Sequence, residues 1–304
     1  MTILTSISLT LKVIFTMLGI LISVAFTTLI ERKVLGMVGI RLSPLKVRLF
    51  GILQPITDAF KLALKSDISL SFSLNLVYIT VGSLFLSFSV SSWIFSGLYF
   101  TEVLLIKITI LMVLFLMTFR TLMILIIGWV SLSKYPLIGA IRSATQAISY
   151  ESIIIIVLLI TCYLARSYKF SQDFISTYHL VFLSPFLFIF WLFTSLAELG
   201  RTPYDFSEGE RELVSGFNTE FGSSPFSLIF LSEYCNILFF SSLTSLIFFS
   251  CLNLLIFMLI LFWFIWVRSV LPRSRFDHLI DLSWKFYIPL VTIYLLGFTI
   301  SNSF

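Results

Sequence analysis

The sequence predicts an all-α integral membrane protein, and its composition and the length of its apolar segments both support this fold class. Of the 304 residues, 59% are hydrophobic and only 12% are charged, whereas ordinary soluble domains carry roughly 25% charged residues. Several segments stay apolar for long enough to form helices that cross about 30 Å of hydrocarbon. Outer-membrane strands are shorter, about 10 residues, and alternate in polarity, so they do not fit this pattern.

Charged residues separate the apolar runs into eight predicted spans within a single domain, residues 1–304. Residues 222–267 contain Glu233 as their only charge and are too long for one span, so we expect a turn between Ser241 and Asn253. The first run lacks the basic segment and cleavage site of a signal peptide, so we expect it to be retained. The predicted spans are 5–30, 70–95, 103–128, 145–165, 178–197, 222–245, 247–267 and 286–303.

The distribution of cations predicts the orientation of these spans. The loops after spans 1, 3, 5 and 7 contain fifteen Lys and Arg residues, whereas the other loops and both termini contain only Arg166 and Lys169. Because the inner loops of membrane proteins are enriched in Lys and Arg, we expect these charged loops on the inner side and both termini outside. The net charge of +5 therefore reflects topology rather than nucleic-acid binding.

The sequence indicates no redox centre, metal site or nucleotide site. The cysteines Cys162, Cys235 and Cys251 are scattered without a CxxC pair. The two histidines, His179 and His278, are not placed to face each other as haem ligands inside helices. The glycine-rich nucleotide motifs are also missing. We therefore expect no cofactor and no metal bound by this chain.

Two charged segments follow the first span. Glu31 ends that span beside cations that are typical of a stop-transfer anchor, and we expect this acid to pair with a neighbouring cation at a buried helix end. Residues 55–65 predict a short interfacial helix, because Pro55 suits the first helical position and apolar residues recur at helical spacing opposite Asp58. This helix is either a surface anchor or the frame of a pocket entered from within the membrane.

Glu151 lies inside the fourth predicted span, about 9 Å from its start if the helix begins near residue 145. A carboxylate inside a span is costly and by default indicates function, often proton transfer. The alternative is a structural ion pair with a cation such as Arg142 or Arg120. Arg142, Gln146 and Ser149 share one face of this predicted helix.

Residues 198–221 form the acidic loop, which is the most informative segment of the chain. Ser207 and Glu210 have the spacing of a capping box, so we expect a short helix from Glu208 to near Gly216. A solvated acidic loop is a sufficient explanation for some of these acids. It does not suit Glu198 and Glu220, because they adjoin apolar runs. Crowded carboxylates at a membrane boundary can share protons. Glu198 and Arg201 are spaced to form an ion pair, which is the structural alternative to a proton relay. The acids of the loop are Glu198, Asp205, Glu208, Glu210, Glu212 and Glu220.

Seven stretches, in order along the chain, carry a family resemblance. They are residues 29–36, 53–62, 133–140, 146–151, 197–220, 233–234 and 272–277. The most specific reads Glu-Gly-Glu at 208–210 and Glu-Leu-Val-Ser-Gly-Phe-Asn at 212–218. From about residue 25 to 290 the sequence closely resembles the subunit 1 family of mitochondrial NADH:ubiquinone oxidoreductase, respiratory complex I, with its bacterial and hydrogenase-linked relatives.

The resemblance implies a core membrane-arm subunit that encloses most of the tunnel through which ubiquinone reaches its reduction site. It implies no catalytic residue on this chain alone, and it assigns FMN, NADH and the iron–sulfur clusters to partner subunits. The implied tunnel residues are Arg32, Arg41, Asp58, Arg142, Arg201, Phe217, Arg273 and Arg275. The implied proton path comprises Glu31, Glu151, Glu198, Asp205, Glu208, Glu210, Glu212, Glu220 and Glu233.

The same resemblance implies the surroundings of the chain. Its partners would be the peripheral-arm quinone-module subunits, the neighbouring membrane-arm subunits, ubiquinone and membrane lipids, with no nucleic acid. Its location would be the mitochondrial inner membrane, with both termini toward the intermembrane space.

The sequence departs from the family pattern at residues 42–45, at Ser66, at residues 199–200 and at Arg211. Arg211 lies between two acids, where it would lower the negative charge of the acidic loop.

Three alternative functions remain. A quinone-independent subunit of a related hydrogenase or ion-transporting complex is the nearest. A secondary transporter would be expected to show internal repeats, and a structural scaffold would not need acids inside its spans.

Overall fold

The computed structural model describes residues 2–43, 51–65, 75–95, 109–165, 180–205, 216–249 and 253–301. Within these ranges the chain forms helices joined by short connections and contains no strand, so the predicted all-α fold class is confirmed. The acids Glu208, Glu210 and Glu212, the helix predicted to begin at Glu208, and the departures at residues 44–45, Ser66 and Arg211 lie outside the described residues.

The helices follow one another along the chain. The first six are α1 (Thr2–Val38), α2 (Gln54–Leu64), α3 (Asn75–Phe95), α4 (Thr109–Val130), α5 (Lys134–Ala165) and α6 (Leu180–Leu183). The remaining five are α7 (Pro185–Glu198), α8 (Ser223–Phe249), α9 (Leu254–Val270), α10 (Phe276–Leu282) and α11 (Ile288–Ser301). A 3-10 turn at Gly216–Asn218 precedes α8, and a π-helical turn at Ser283–Tyr287 joins α10 to α11.

Among the described residues, five helical segments are long and apolar enough to cross a membrane. They are Thr10–Val38 within α1, then α4, α5 and α8, and Phe276–Ile300, which joins α10 to α11. Three shorter apolar helices accompany them, at Ile79–Ile94 within α3 and in α7 and α9. These elements correspond in order to the eight predicted spans, while the number of crossings and the position of the termini stay predictions.

Helix α5 is longer than the predicted fourth span. It begins at Lys134, and Pro136 lies in its first turn, where a missing backbone donor costs nothing. The segment expected to be a polar connection is therefore helical. At 1.5 Å per residue, Glu151 lies about 25 Å from the start of α5 rather than about 9 Å.

The centre of the fold is a stack of α3, α4, α5, α7 and α8. Helix α4 packs between α3 and α5, α7 packs on α5, and α8 packs on α3, α1 and α9. Small residues allow the close approaches, since Gly128 of α4 faces Ala140 of α5. A Cβ at Gly139 would lie 3.0 Å from the backbone of Gly216 and Phe217, so glycine here brings the 3-10 turn against α5.

Helix α2 matches the predicted interfacial helix within one residue at each end. It contacts α1 and α8, and Pro55 is buried. Its apolar residues face away from the described helices, since Ile56, Phe60 and Leu64 are all exposed. This distribution fits a helix that lies on a membrane surface.

Candidate functional site

A cavity of about 70 Å³ lies among α4, α5, α7 and α8 and the loop that follows α7. This volume has room for several water molecules. Nine of its sixteen lining residues are polar or charged, which is unusual inside a bundle of apolar helices. The charged residues of the lining are Arg120, Glu198, Arg201, Asp205, Glu233 and Arg268.

The end of α7 determines how two of these residues are placed. Glu198 is the last residue of the helix, and the chain then reverses through Gly200, whose φ is +60°. The amide of Gly200 donates to Ala197 O at 3.2 Å and that of Arg201 to Leu196 O at 3.4 Å, which is the Schellman arrangement. Glycine adopts this left-handed conformation without strain. As a result Glu198 and Arg201 have different ion-pair partners.

The Glu31 cluster comprises Glu31, Arg201, Tyr234 and Arg268, which come from α1, the loop after α7, α8 and α9. Arg201 Nη1 lies 3.4 Å from Glu31 Oε1, and Arg268 pairs with the same oxygen. The hydroxyl of Tyr234 donates to Glu31 Oε2 at 2.6 Å. Both oxygens of Glu31 therefore have partners, and two cations compensate its charge. The expectation that Glu31 pairs with a neighbour in sequence is wrong, because these partners come from distant helices.

Arg201 lies outside the helices that are candidates for spanning and is firmly charged. Burial disfavours its charged form, but the nearby Glu31, Tyr234 and Glu233 outweigh burial and raise the guanidinium pKa above its ordinary value. Its guanidinium carbon also lies 4.5 Å from the centroid of the Tyr234 ring, a cation–π contact. Arg201 is thus a permanent cation of this cluster.

The Glu198 cluster comprises Arg120 of α4, Glu151 of α5 and Glu198 of α7. Arg120 forms an ion pair with Glu198 Oε1, and the side chains of Arg120 and Glu198 are 8% and 0% exposed. Glu151 is close enough to interact electrostatically with both. Glu198 Oε2 and Glu151 Oε1 are buried and have no hydrogen-bond partner among the described residues. One cation therefore serves two carboxylates.

Gln146 connects α5 to the segment that contains Glu198. Its side-chain amide donates to Ala197 O and to Tyr204 O, both at 2.8 Å. The two carbonyls lie on either side of the turn at Gly200, so one buried amide fixes the end of α7 and the loop after it. Gln146 thereby sets the position of Glu198 relative to Glu151.

The loop after α7 is held from its other side by the connection between α9 and α10. Arg273 Nη2 lies 3.3 Å from Asp205 Oδ2, and the amide of Ser274 donates to Pro203 O at 3.1 Å. Burial, with a contribution from Tyr287, raises the pKa of the Tyr204 phenol above its ordinary value, so this phenol stays neutral.

The structure brings only some of the predicted site residues to the cavity. Glu198, Arg201, Asp205, Phe217 and Glu233 line it. Glu31 and Arg273 join through ion pairs with lining residues, and Glu151 through its electrostatic interactions.

Other predicted site residues lie away from the cavity. Arg32 and Asp58 form a half-exposed pair at 2.8 Å that joins α1 to α2. Arg275 pairs with Asp277 at the surface, and Arg41 is exposed. The remaining two are Arg142, 5.9 Å from the centroid of the Phe276 ring, and Glu220, which is partly buried.

Four residues that bind or position the acids of the cavity and its two clusters were not predicted as site residues, and one of them is Tyr234, which donates to Glu31. Arg268 and Gln146 line the cavity, and Arg120 was considered only as a possible partner of Glu151. Arg120 had a sequence signal, since it and Lys107 are the only charges in the predicted span 103–128. The pair between Glu198 and Arg201, which was the structural alternative to a proton relay, does not form, because Arg201 pairs with Glu31 and Glu198 with Arg120.

The fold and the site define a class of protein, a helical membrane protein with ionisable side chains and a polar cavity inside its helix bundle. The sequence matches the model of the NADH dehydrogenase family over residues 11–299. The chain therefore belongs to the NADH dehydrogenase family, and the family resemblance found in the sequence is confirmed.

Relatives with known names agree with this assignment. The chain is 41% identical over 289 residues to NADH-ubiquinone oxidoreductase chain 1 of Aedes aegypti, which covers 92% of this chain and 91% of the mosquito protein. It is 41% identical over 291 residues to the protein of the same name from Anopheles gambiae, with the same two coverages. The corresponding protein of Strongylocentrotus purpuratus is 38% identical over 297 residues, covering 92% of this chain and 91% of the sea-urchin protein.

Proposed function

We propose that the chain is a core membrane-arm subunit of NADH:ubiquinone oxidoreductase, the proton-translocating respiratory complex I. In this proposal it forms the access tunnel for ubiquinone and begins the acidic path that couples quinone reduction to proton pumping. The observation that carries the proposal is the cavity among the helices, which has room for several water molecules and is lined by Glu198, Asp205 and Glu233. Carboxylates inside a helix bundle are costly and usually serve proton movement.

The tunnel part of the proposal rests on Phe217, Arg201 and the α1–α2 junction. Phe217 and Arg201 line the cavity, and Arg32 with Asp58 ties the interfacial helix to α1. That helix presents its apolar residues outward, as expected of an element that borders a lipid-side entrance. Arg41, Arg142, Arg273 and Arg275 complete the proposed tunnel residues.

The coupling part rests on the Glu198 cluster and its connection to the cavity. Water molecules in the cavity would link Glu198 to Asp205 and Glu233, and the cluster itself adds Glu151. Glu31, Glu208, Glu210, Glu212 and Glu220 complete the proposed path. Glu31 takes part as a fixed charge, because two cations and a phenol already satisfy its carboxylate.

The names of the relatives support the partners and the location of the chain. We propose that it assembles with quinone-module and membrane-arm subunits in the mitochondrial inner membrane, among lipids and without nucleic acid. NADH, FMN and the iron–sulfur clusters would be held by partner subunits, and ubiquinone would be the substrate. Both termini would face the intermembrane space, so a tag at Phe304 should be accessible there while the inner membrane is intact.

The tunnel proposal is tested by Phe217→Trp in the assembled complex. The larger ring should narrow the proposed path, so quinone reduction should slow while NADH oxidation by a soluble artificial acceptor continues. Phe286→Trp is the matched control, because Phe286 is 53% exposed and away from the cavity. Unchanged quinone reduction, or equal loss of both activities in a fully assembled complex, would contradict a tunnel role. Unchanged quinone reduction would favour the quinone-independent alternative.

A further inference from the structure

Arg120 is a cation in the middle of an apolar helix. It is the only charged residue of α4, and its side chain is 8% exposed. A buried guanidinium needs an anion, and α7 supplies one in Glu198. Glu198 in turn is the last residue of α7, where the helix dipole disfavours a negative charge. The two residues therefore stabilise each other's charged forms.

The charged residues around the cavity form two groups that differ in their numbers of cations and acids. On the α9 side, Arg201 and Arg268 contact Glu31, and Arg201 also interacts with Glu233. Two cations therefore face two acids. Asp205 is engaged separately by Arg273. Among the described residues on the α4 side, Arg120 is the one cation that faces both Glu198 and Glu151.

The titratable groups on the other elements packed against α4 and α5 do not change this count. The described side chains of α3, residues 79–94, include no charged residue. Arg142 of α5 lies over the Phe276 ring, and Lys285 pairs with Asp281 at the surface. Tyr150 donates its hydroxyl to Leu279 O at 3.2 Å.

The Glu198 cluster thus has one acid more than it has cations. If both carboxylates are ionised, it carries a buried net charge of −1, and one proton brings it to zero. A second proton would leave the buried guanidinium without an anion, which is also costly. Among the described residues, Glu151 Oε1 and Glu198 Oε2 have no hydrogen-bond partner. Since Arg120 forms its ion pair with Glu198, the proton is favoured on Glu151.

We propose that Arg120 is a positioning residue that holds Glu198 as a carboxylate and so limits the Glu151–Glu198 pair to one exchangeable proton, carried on Glu151. When Glu151 takes up the proton, its O–H bond forms as an O–H bond of a hydronium ion breaks, and release of the proton to water reverses both changes. The inference rests on the proposed coupling function and adds the internal cation that sets its proton count. Glu198 contributes a fixed negative charge, and Glu151 takes up and releases the proton.

The test compares variants in the assembled, membrane-reconstituted complex. Quinone reduction and proton pumping are measured between about pH 6 and 9 for Arg120→Leu and Arg120→Lys. Removing a cation within a few ångströms of two acids raises their affinity for protons. In the pH profile of Arg120→Leu, the limb is the pH range in which activity changes because the acids lose a proton. This limb should therefore move to alkaline pH by about one unit or more. Arg120→Lys keeps the charge and should keep the limb in place.

Two further variants make the result interpretable. Lys12→Leu removes another cation from an apolar helix, but at an exposed position of α1, and should leave the limb unchanged. Glu151→Gln should abolish coupled pumping. If Glu151→Gln pumps normally, the proton-path part of the proposed function fails. If Glu151→Gln is impaired while the limb of Arg120→Leu stays at the wild-type pH, the inference about Arg120 alone is overturned.

A double variant covers the case in which Arg120→Leu does not assemble. Arg120→Leu with Glu198→Leu replaces the buried pair by apolar side chains and leaves no charge alone. Glu151 then still alternates between zero and −1, as in the wild type, so pumping should be retained at a measurable rate. An assembled double variant that reduces quinone without pumping would overturn the inference.

Discussion

Glu31 and Glu198 are two carboxylates in one bundle whose side chains are buried to a similar degree, 5% and 0% exposed. Glu31 has two arginines and a phenol as partners, and both of its oxygens are engaged. Glu198 has one arginine and a second acid nearby, and one of its oxygens has no hydrogen-bond partner within the part of the chain that the structure describes. Burial is therefore not what distinguishes them. The number of nearby cations distinguishes them. Glu31 has enough cations to remain ionised in a structural ion pair, whereas the acids around Glu198 share one cation, so one of these acids is expected to be protonated.

The two clusters also differ in what they connect. The Glu31 cluster joins α1, the loop after α7, α8 and α9, so it ties together helices that are far apart in the chain. The Glu198 cluster lies among α4, α5 and the end of α7, beside the cavity. We therefore expect substitutions in the first cluster to act mainly on stability and assembly, and those in the second mainly on coupling.

The largest expected effect on stability comes from Glu31→Gln. It leaves Arg201 and Arg268 around a neutral amide, and breaking a buried ion pair from one side costs about 3–5 kcal/mol. Little assembled complex should remain on native gels, and what remains should unfold at a lower temperature. Glu198→Gln is the comparison, because there the excess acid Glu151 can replace the lost anion. If Glu31→Gln assembled as well as Glu198→Gln, the Glu31 cluster would not be the structural one.

Gln146→Leu should have an intermediate effect. It removes the donor of the Ala197 and Tyr204 carbonyls. Ala197 O keeps its bond from the Gly200 amide, whereas Tyr204 O loses its buried donor, and an unpaired buried carbonyl costs about 1–3 kcal/mol. The thermal midpoint of the complex should fall, and coupling should weaken further than stability alone explains, because Gln146 sets the position of Glu198. Gln146→Glu keeps the size of the side chain, but its carboxylate oxygens can only accept hydrogen bonds and would face the two carbonyl oxygens. It should therefore lower stability and coupling at least as much. A normal thermal midpoint in both variants would contradict the role given to Gln146.

The smallest effect is expected from Asp58→Asn. The pair between Arg32 and Asp58 is half-exposed, with side chains 50% and 37% accessible, and such surface pairs contribute about 1 kcal/mol or less. Assembly should be unchanged within error. Any loss of quinone reduction in this variant would then be attributed to an effect on the proposed tunnel and not to lower stability. A large loss of assembled complex would show that the α1–α2 junction carries more of the fold than its exposure indicates.

Much of the architecture followed from the sequence because apolar length and charge position are local properties. They located the interfacial helix, the apolar segments that form α3, α4, α7, α8 and α9, and the importance of the segment around Glu198. The extent of α5 was missed, because polar residues near Pro136 resemble a loop when their packing against the 3-10 turn is unknown.

The ion pairs could not be read from the sequence, because they depend on how the helices pack. Glu198 and Arg201 have the spacing of a helical pair, but the helix ends at Glu198 and Gly200 turns the chain away. Glu31 finds Arg268 from a helix 237 residues further along the chain. Neither partnership has a local signature. The solitary charge of α4 at Arg120 was visible, yet the identity of its partner was not.

The role proposed for Glu198 is to balance charge in its cluster and not to carry the proton. It is tested most directly by comparing proton pumping in Glu198→Gln with that in Glu198→Gln combined with Arg120→Gln, in complexes with equal assembly. The single variant frees Arg120 to neutralise Glu151, so the exchangeable proton and with it most of the pumping should be lost. The double variant leaves Glu151 without a cation, restores one exchangeable proton and should recover pumping well above the single variant. Pumping in the double variant as low as in the single variant would contradict this role and make Glu198 itself the carrier.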